Sequence, residues 1–198
     1  MLASLSDGVI PVTAFITDAA GNASATSAVS NITLDRTAPV APSIVSVPEN
    51  ASGINAAEDD DGTAIQVAVP SDAKVGDVLT LNIGGQVVNY TVTASDIGGT
   101  ATVPVSALTL TALTDGTIPV TATLTDLAGN NSATSTPFNF NLDRSAPAKP
   151  TIVAVPENAD GGINAIEGSD GTVVNVSLPA GTQAGDTITL TIAGLDVH

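Results

Sequence analysis

The sequence has no cysteine and no tryptophan, and only one Met, one Tyr and three Phe among its 198 residues. Without cysteine there are no disulfides, no thiol nucleophile and no thiolate zinc site. Basic residues are also scarce: four Lys and Arg stand against twenty Asp and Glu, a net charge of 4 − 20 = −16. Nucleic-acid binding displaces phosphate counterions with Lys and Arg, and this balance excludes it. The single histidine, His198, is the last residue. It reads as a frayed terminus and cannot anchor an imidazole metal site or a buried triad. No apolar run approaches the ~20 residues that a membrane-spanning helix needs, so no membrane insertion is expected.

What is present is aliphatic and acidic. Apolar residues make up 43% but aromatics only 2%, so the core must be built from Ala, Val, Ile and Leu. At roughly 100–200 residues per domain, one or two domains fit the length. The acid excess matches a hard cation, because carboxylates, amide oxygens and backbone carbonyls are calcium ligands. Its plainer reading is charge that keeps the chain soluble.

Internal similarity is the strongest signal. LDRTAP at 34–39 recurs as LDRSAP at 142–147, and IPVTA at 10–14 recurs at 118–122, both at an offset of 108. AGN at 20–22 and VPEN at 47–50 recur at the same offset. GINA at 53–56 and DGT at 61–63 recur at 109, so one residue is inserted between these marks, near Asp160–Gly161, where a loop is expected. Residues 1–36 then match the C-terminal part of a repeat, 37–144 form a complete repeat, and 145–198 match the N-terminal half of another. The expectation is a stretch of a longer tandem array, in which Met1 is not a natural start and any secretion signal lies outside this sequence.

Within a repeat, short segments rich in Val, Ile and Thr alternate with period two. Ile65, Val67 and Val69 alternate with Ala64, Gln66 and Ala68, and Leu79, Leu81 and Ile83 with Thr80 and Asn82. The pattern predicts strands over 43–47, 63–69, 78–83, 87–93, 100–106, 117–125 and 132–142, with no helix. About seven strands in one repeat predict an all-β fold, an antiparallel immunoglobulin-like sandwich. Pro104 and Pro137 cannot donate to a ladder and belong at edges or bulges. Tyr90 falls on an inward face and Phe15 on an outward one.

Three places could hold a cation. The turn Asp126-Leu127-Ala128-Gly129-Asn130 has a twin from Asp18 to Asn22. Its Gly permits positive φ and its Asp and Asn bond turn amides, so it is either a well-made hairpin or a source of calcium ligands. Asp35 and its twin Asp143 close the last strand of a repeat. In an immunoglobulin sandwich that strand ends opposite the 126–130 turn, so Asp35 leaves one repeat beside Asp126 and Asn130 of the next. Adjacent carboxylates repel unless a cation bridges them; otherwise Asp35 pairs with Arg36 or water. The third place is the loop Glu58-Asp59-Asp60-Asp61-Gly62, copied as Glu167-Gly168-Ser169-Asp170-Gly171. Only Glu58 and Asp61 keep their chemistry in both copies, so Asp59 and Asp60 read as solvated surface. The loop lacks the EF-hand spacing.

Catalysis is not expected. Acid pairs could form a glycosidase dyad, but no aromatic platform for a sugar exists and the acids lie on repeated turns. Lys74 and Lys149 invite an isopeptide crosslink, yet Lys74 maps onto Gln183 in the next copy.

The runs TDLAGNNSATS, LDRSAP, VPENADGGINAIEGSDGT and LPAGTQAGDTITLTI, in this order and period, resemble the bacterial immunoglobulin-like repeats of giant type I-secreted adhesins, often with RTX tails, that act in biofilm formation and surface attachment. The resemblance covers essentially the whole chain. It implies extender domains on the bacterial cell surface that hold a distal binding region outward, with calcium stiffening the junctions between neighbouring repeats. Carried onto this chain, the junction ligands are Asp35, Asp126 and Asn130, with Asp18 and Asp143 at flanking junctions and Glu58 and Asp61 as further candidates. The incomplete end repeats raise end-to-end association of two molecules. The rival readings are a carbohydrate- or protein-binding module, disfavoured by the lack of Trp, and a metal-free passive spacer.

Overall fold

Alternating Val, Ile and Leu become strand wherever one face can be buried, and the computed structural model follows that rule closely. It describes all residues except Met1, Ser52, Asp160, Asp170, Ala193 and His198. The expectations for the His198 terminus and for the insertion at Asp160 therefore lie outside the described residues. The chain forms two compact units, residues 1–144 and 145–198.

The first unit contains strands β1 (Gly8–Val12), β2 (Ser30–Leu34), β3 (Ser43–Ser46), β4 (Thr63–Ala68), β5 (Val78–Ile83), β6 (Gln86–Thr91), β7 (Thr100–Val105), β8 (Gly116–Thr125) and β9 (Phe138–Leu142). β1 and β2 pair with each other; the rest form a three-stranded sheet, β3-β4-β7, and a four-stranded sheet, β6-β5-β8-β9, with every pairing antiparallel. This is the strand order of a seven-stranded immunoglobulin-like sandwich. Its core is drawn from both sheets: Ile65, Val67 and Val103 from one, Leu79, Leu81, Leu124 and Phe140 from the other. Tyr90 packs at the edge of this core, and Phe15 is 63% exposed. β7 is an edge strand, which accommodates Pro104.

Three expectations are corrected. The chain is not free of helix: α1 (Ala56–Asp61) and α2 (Ala107–Thr111) form in loops. Neither spans two turns, too short for a 3.6-residue period to show. The strand expected over 132–142 begins only at Phe138. Before it, Ser132 and Ser135 hold the chain against β8 partly through side chains: their hydroxyls accept from the amides of Leu124 and Ala122, both at 2.9 Å. Ser24 and Ser27 repeat the arrangement in the first copy. Asp59 is not solvated: it is buried and lies 3.3 Å from Arg144, which also reaches Asp115 at 2.7 Å.

The second unit contains β10 (Thr151–Ala154) paired with β11 (Asn175–Ser177), and β12 (Leu190–Ile192) paired with β13 (Leu195–Val197). Ile152, Val174, Val176, Ile188 and Leu190 line an open apolar groove of about 430 Å³. They are the twins of Ile44, Ile65, Val67, Leu79 and Leu81, which form the closed core of the complete repeat or pack against it.

Candidate metal centre

The turn after β8 is closed by its own side chains. Asp126 Oδ1 accepts from the amides of Ala128 and Asn130, at 2.9 and 2.8 Å, and its Oδ2 accepts from Asn130 Nδ2 at 2.9 Å. Gly129 supplies φ +92°. The Asn130 side chain, ahead of the backbone bonds, holds the Asp126 carboxyl below its ordinary value. Asp18 and Asn22 reproduce the same bonds, at 2.8–3.0 Å, with the same direction of shift and the same leading cause.

Asn130 Nδ2 also donates to the backbone carbonyl of Asp35 at 3.2 Å. The end of one repeat thus meets the turn of the next, as the sandwich topology requires. Asp35 does not pair with Arg36, which binds Asp7 at 2.8 Å. Asp35 Oδ1 accepts from the Thr37 amide at 3.1 Å, and its Oδ2 lies 3.7 Å from Lys74 Nζ.

Two further acids belong here that the sequence reading missed, both from the turn Pro70-Ser71-Asp72-Ala73-Lys74-Val75-Gly76-Asp77. Asp72 Oδ2 accepts from the Val40 amide at 2.9 Å and so ties down the linker after Pro39. Asp77 is 1% exposed; its Oδ2 accepts from the Lys74 amide at 2.8 Å, while its Oδ1 is buried with no hydrogen-bond partner. Asp35, Asp72, Asp77 and Asp126 line one cavity of about 260 Å³ with Lys74 and Thr37. Four carboxylates against one ammonium leave −4 + 1 = −3 around it. A signal for Asp77 was available: it recurs as Asp186 at offset 109, whereas Asp72 and Lys74 become Gly181 and Gln183.

These carboxylates ring the cavity without converging; among the described residues no three acidic or imidazole groups form a ready metal cluster. The unpartnered Asp77 oxygen is nevertheless what a hard cation would satisfy. Leaving such an atom buried and bare costs about 1–3 kcal/mol, and more for a charged group.

The remaining candidates lie apart from this cavity's lining. Asp143 donates its amide to the Ile54 carbonyl at 2.9 Å. Glu58 is engaged in a capping box: its Oε2 accepts from the Asn55 amide at 2.9 Å while Asn55 Oδ1 caps α1. Asp61 ends α1 and lines a different cleft.

No family model matches the chain, and no curated protein does. Solved structures do. The chain is similar, at 27% identity and a TM-score of 0.49, to a Ca2+-stabilized adhesin that helps an Antarctic bacterium reach out and bind ice; the match covers 98% of this chain and 46% of that one. A structure addressing host cell surface retention of a 1.5-MDa bacterial ice-binding adhesin is 28% identical, with a TM-score of 0.45, over 98% of this chain and 60% of that one. A bacterial immunoglobulin-like domain from the M. primoryensis ice-binding adhesin is 24% identical, with a TM-score of 0.37, over 55% of this chain and all of that one. This chain thus spans between 46% and 60% of the length of the first two. These similar structures come from bacterial adhesins, the class that the sequence resembles.

Proposed function

We propose that this chain is a run of structural spacer repeats from a secreted bacterial surface adhesin, and that calcium stiffens the junction before its complete repeat. The observation that carries the metal part is the buried, unpartnered Oδ1 of Asp77 in a cavity shared with Asp35, Asp72 and Asp126. One of the similar adhesins is described as Ca2+-stabilized; for this chain the proposal rests on its own carboxylates.

The stiffening is electrostatic. Asp35 closes one repeat, Asp126 belongs to a turn of the next, and Asp72 holds the linker between them. Without a counter-ion their charges repel, and Lys74 offsets only one of them. A bound calcium ion supplies two positive charges and takes roughly six to eight oxygens, from these carboxylates, nearby carbonyls and water. Asp35, Asp77 and Asp126 would hold it directly. Asp72 would keep Val40 in place, and Asn130 would tie the turn to the Asp35 carbonyl. The acids serve turns, caps and linkers, which fits a structural part and not a reaction centre. Localisation outside the cell, and a part in adhesion and biofilm formation, belong to the same proposal.

Calcium that binds only the folded chain stabilises it by ~2.7 kcal/mol at a hundredfold excess over Kd. For a chain this size that is a rise in Tm of about 5–10 °C. Calorimetric melts in calcium and in chelator measure it, and Asp77→Asn is expected to remove most of the rise. Identical melts in both buffers would make this a metal-free spacer.

A further inference from the structure

The apolar groove of residues 145–198, about 430 Å³ between Ile152, Val174, Val176, Ile188, Leu190 and Ile192, is open. We infer that the β1-β2 hairpin of a second copy of this chain closes it, taking the place that β8 and β9 hold in the complete repeat.

The repeat itself supplies the matching surface. In the complete repeat β8 and β9, with the residues around them, close the core through Ile118, Val120, Ala122, Leu124, Phe140 and Leu142. Their twins at offset 108 are Ile10, Val12, Ala14, Ile16, Ile32 and Leu34, all apolar. Yet Val12, Ile16 and Ile32 are 45%, 77% and 43% exposed. One end of the chain thus shows a hairpin face without its core, and the other a core face without its hairpin. Contiguous apolar surface of this kind marks an interaction site.

The sheet edges agree. β8 lies between β5 and β9, whereas its twin β1 has β2 alone; β5 lies between β6 and β8, whereas its twin β12 has β13 alone. β5 pairs with β8 over 78–83 and 120–125. Of the twin residues, 187–192 and 12–17, only Val12 and Leu190–Ile192 lie in strands. Strand is lost on the two segments that would face each other, and an unpaired edge takes up a further strand readily. Transferring the β5-β8 register sets Val12 against Ile192, Thr13 against Thr191, Ala14 against Leu190 and Ile16 against Ile188.

β7 has no twin in either partial repeat, but it is an edge strand, so the composite sandwich keeps six of seven strands and forms reversibly. Each copy gives a hairpin and offers a groove, so the contact is heterologous and runs on past two copies. Where the chain continues into a full second repeat, that repeat's own hairpin competes for the groove, and the contact becomes an exchange of equivalent hairpins between copies.

The sequence has no cysteine, so an introduced pair reports the register directly. Residues opposed in an antiparallel ladder have Cα atoms about 4.5–5.5 Å apart, within disulfide reach. Thr13→Cys and isotope-labelled Thr191→Cys chains are mixed under mild oxidation in chelator. The mixed disulfide, identified by mass, is expected to form at least about tenfold faster than with Thr187→Cys, because a docked pair holds its thiols at high effective concentration. Thr187 is four residues, about 13 Å, out of register. Light scattering of the unmodified chain is expected to show a mean mass that rises with concentration beyond two copies. Val12→Asp and Ile192→Asp change residues already exposed in the single chain, and each is expected to abolish the rise while circular dichroism stays unchanged. A mass fixed at one chain, equal cross-linking in and out of register, or undiminished association of folded Val12→Asp would overturn the contact. A Thr13→Cys/Thr191→Cys double variant that links only within single chains would overturn the second copy as occupant. The contact uses no metal ligand, so its failure leaves the calcium junction untouched.

Discussion

At the scale of single residues, the few charged groups that are buried are more informative than the many that are not. Arg144 donates to Asp115, Asp59 and the carbonyls of Leu110 and Leu113. Its twin Arg36 binds Asp7 and the Leu5 carbonyl, with its side chain 47% exposed against 22% for Arg144. Removing one partner of a buried pair leaves an uncompensated charge, whereas a surface pair contributes little. Arg144→Ala is therefore expected to lower Tm by about 5–10 °C, and Arg36→Ala by no more than a degree or two. Thermal melts of the two variants side by side measure the contrast; equal losses would contradict it. The Arg-Ser-Ala-Pro run was visible as a repeat marker, but its buried partner was not. Asp59 is one of three consecutive aspartates, and only the folding of α1 turns it inward. Asp126 and Asp18 were legible because the Asp-x-x-Gly-Asn turn defines its own bonds.

At the scale of elements, most strands were legible to within a residue or two because Val, Ile and Leu alternate over one buried face. The segment before Phe138 was not. Its Ser and Thr suit a strand by composition, yet Ser132 and Ser135 replace part of the ladder with side-chain bonds to β8. The two helices escaped for the opposite reason, being set by local caps at Asn55 and Ser106 rather than by a pattern. The serine bonds have a measurable consequence. Ser135→Ala leaves the buried Ala122 amide without that acceptor and is expected to cost about 1–3 kcal/mol in urea unfolding. The exposed twin, Ser27→Ala, is expected to stay within about 0.5 kcal/mol. A neutral Ser135→Ala would show that the hydroxyl bond is dispensable.

At the scale of the whole molecule, a chain of net charge −16 repeats Asp18 as Asp126 and Asp35 as Asp143, each at an offset of 108. The meeting of Asp35 with the Asp126 turn could be worked out from topology and the 108-residue period. Asp72 and Asp77 could not, because their turn reaches the junction only through the tertiary fold. Sequence marks Asp77 solely by its recurrence as Asp186. Yet Asp77, buried with one oxygen unpartnered, is the residue on which the calcium reading depends. Anomalous diffraction from calcium-soaked crystals tests that reading most directly. A calcium peak is expected among Asp35, Asp77 and Asp126, roughly 2.3–2.6 Å from Asp77 Oδ1. A cavity holding only water, with Asp77 Oδ1 hydrogen-bonded to it, would rule out calcium at this junction.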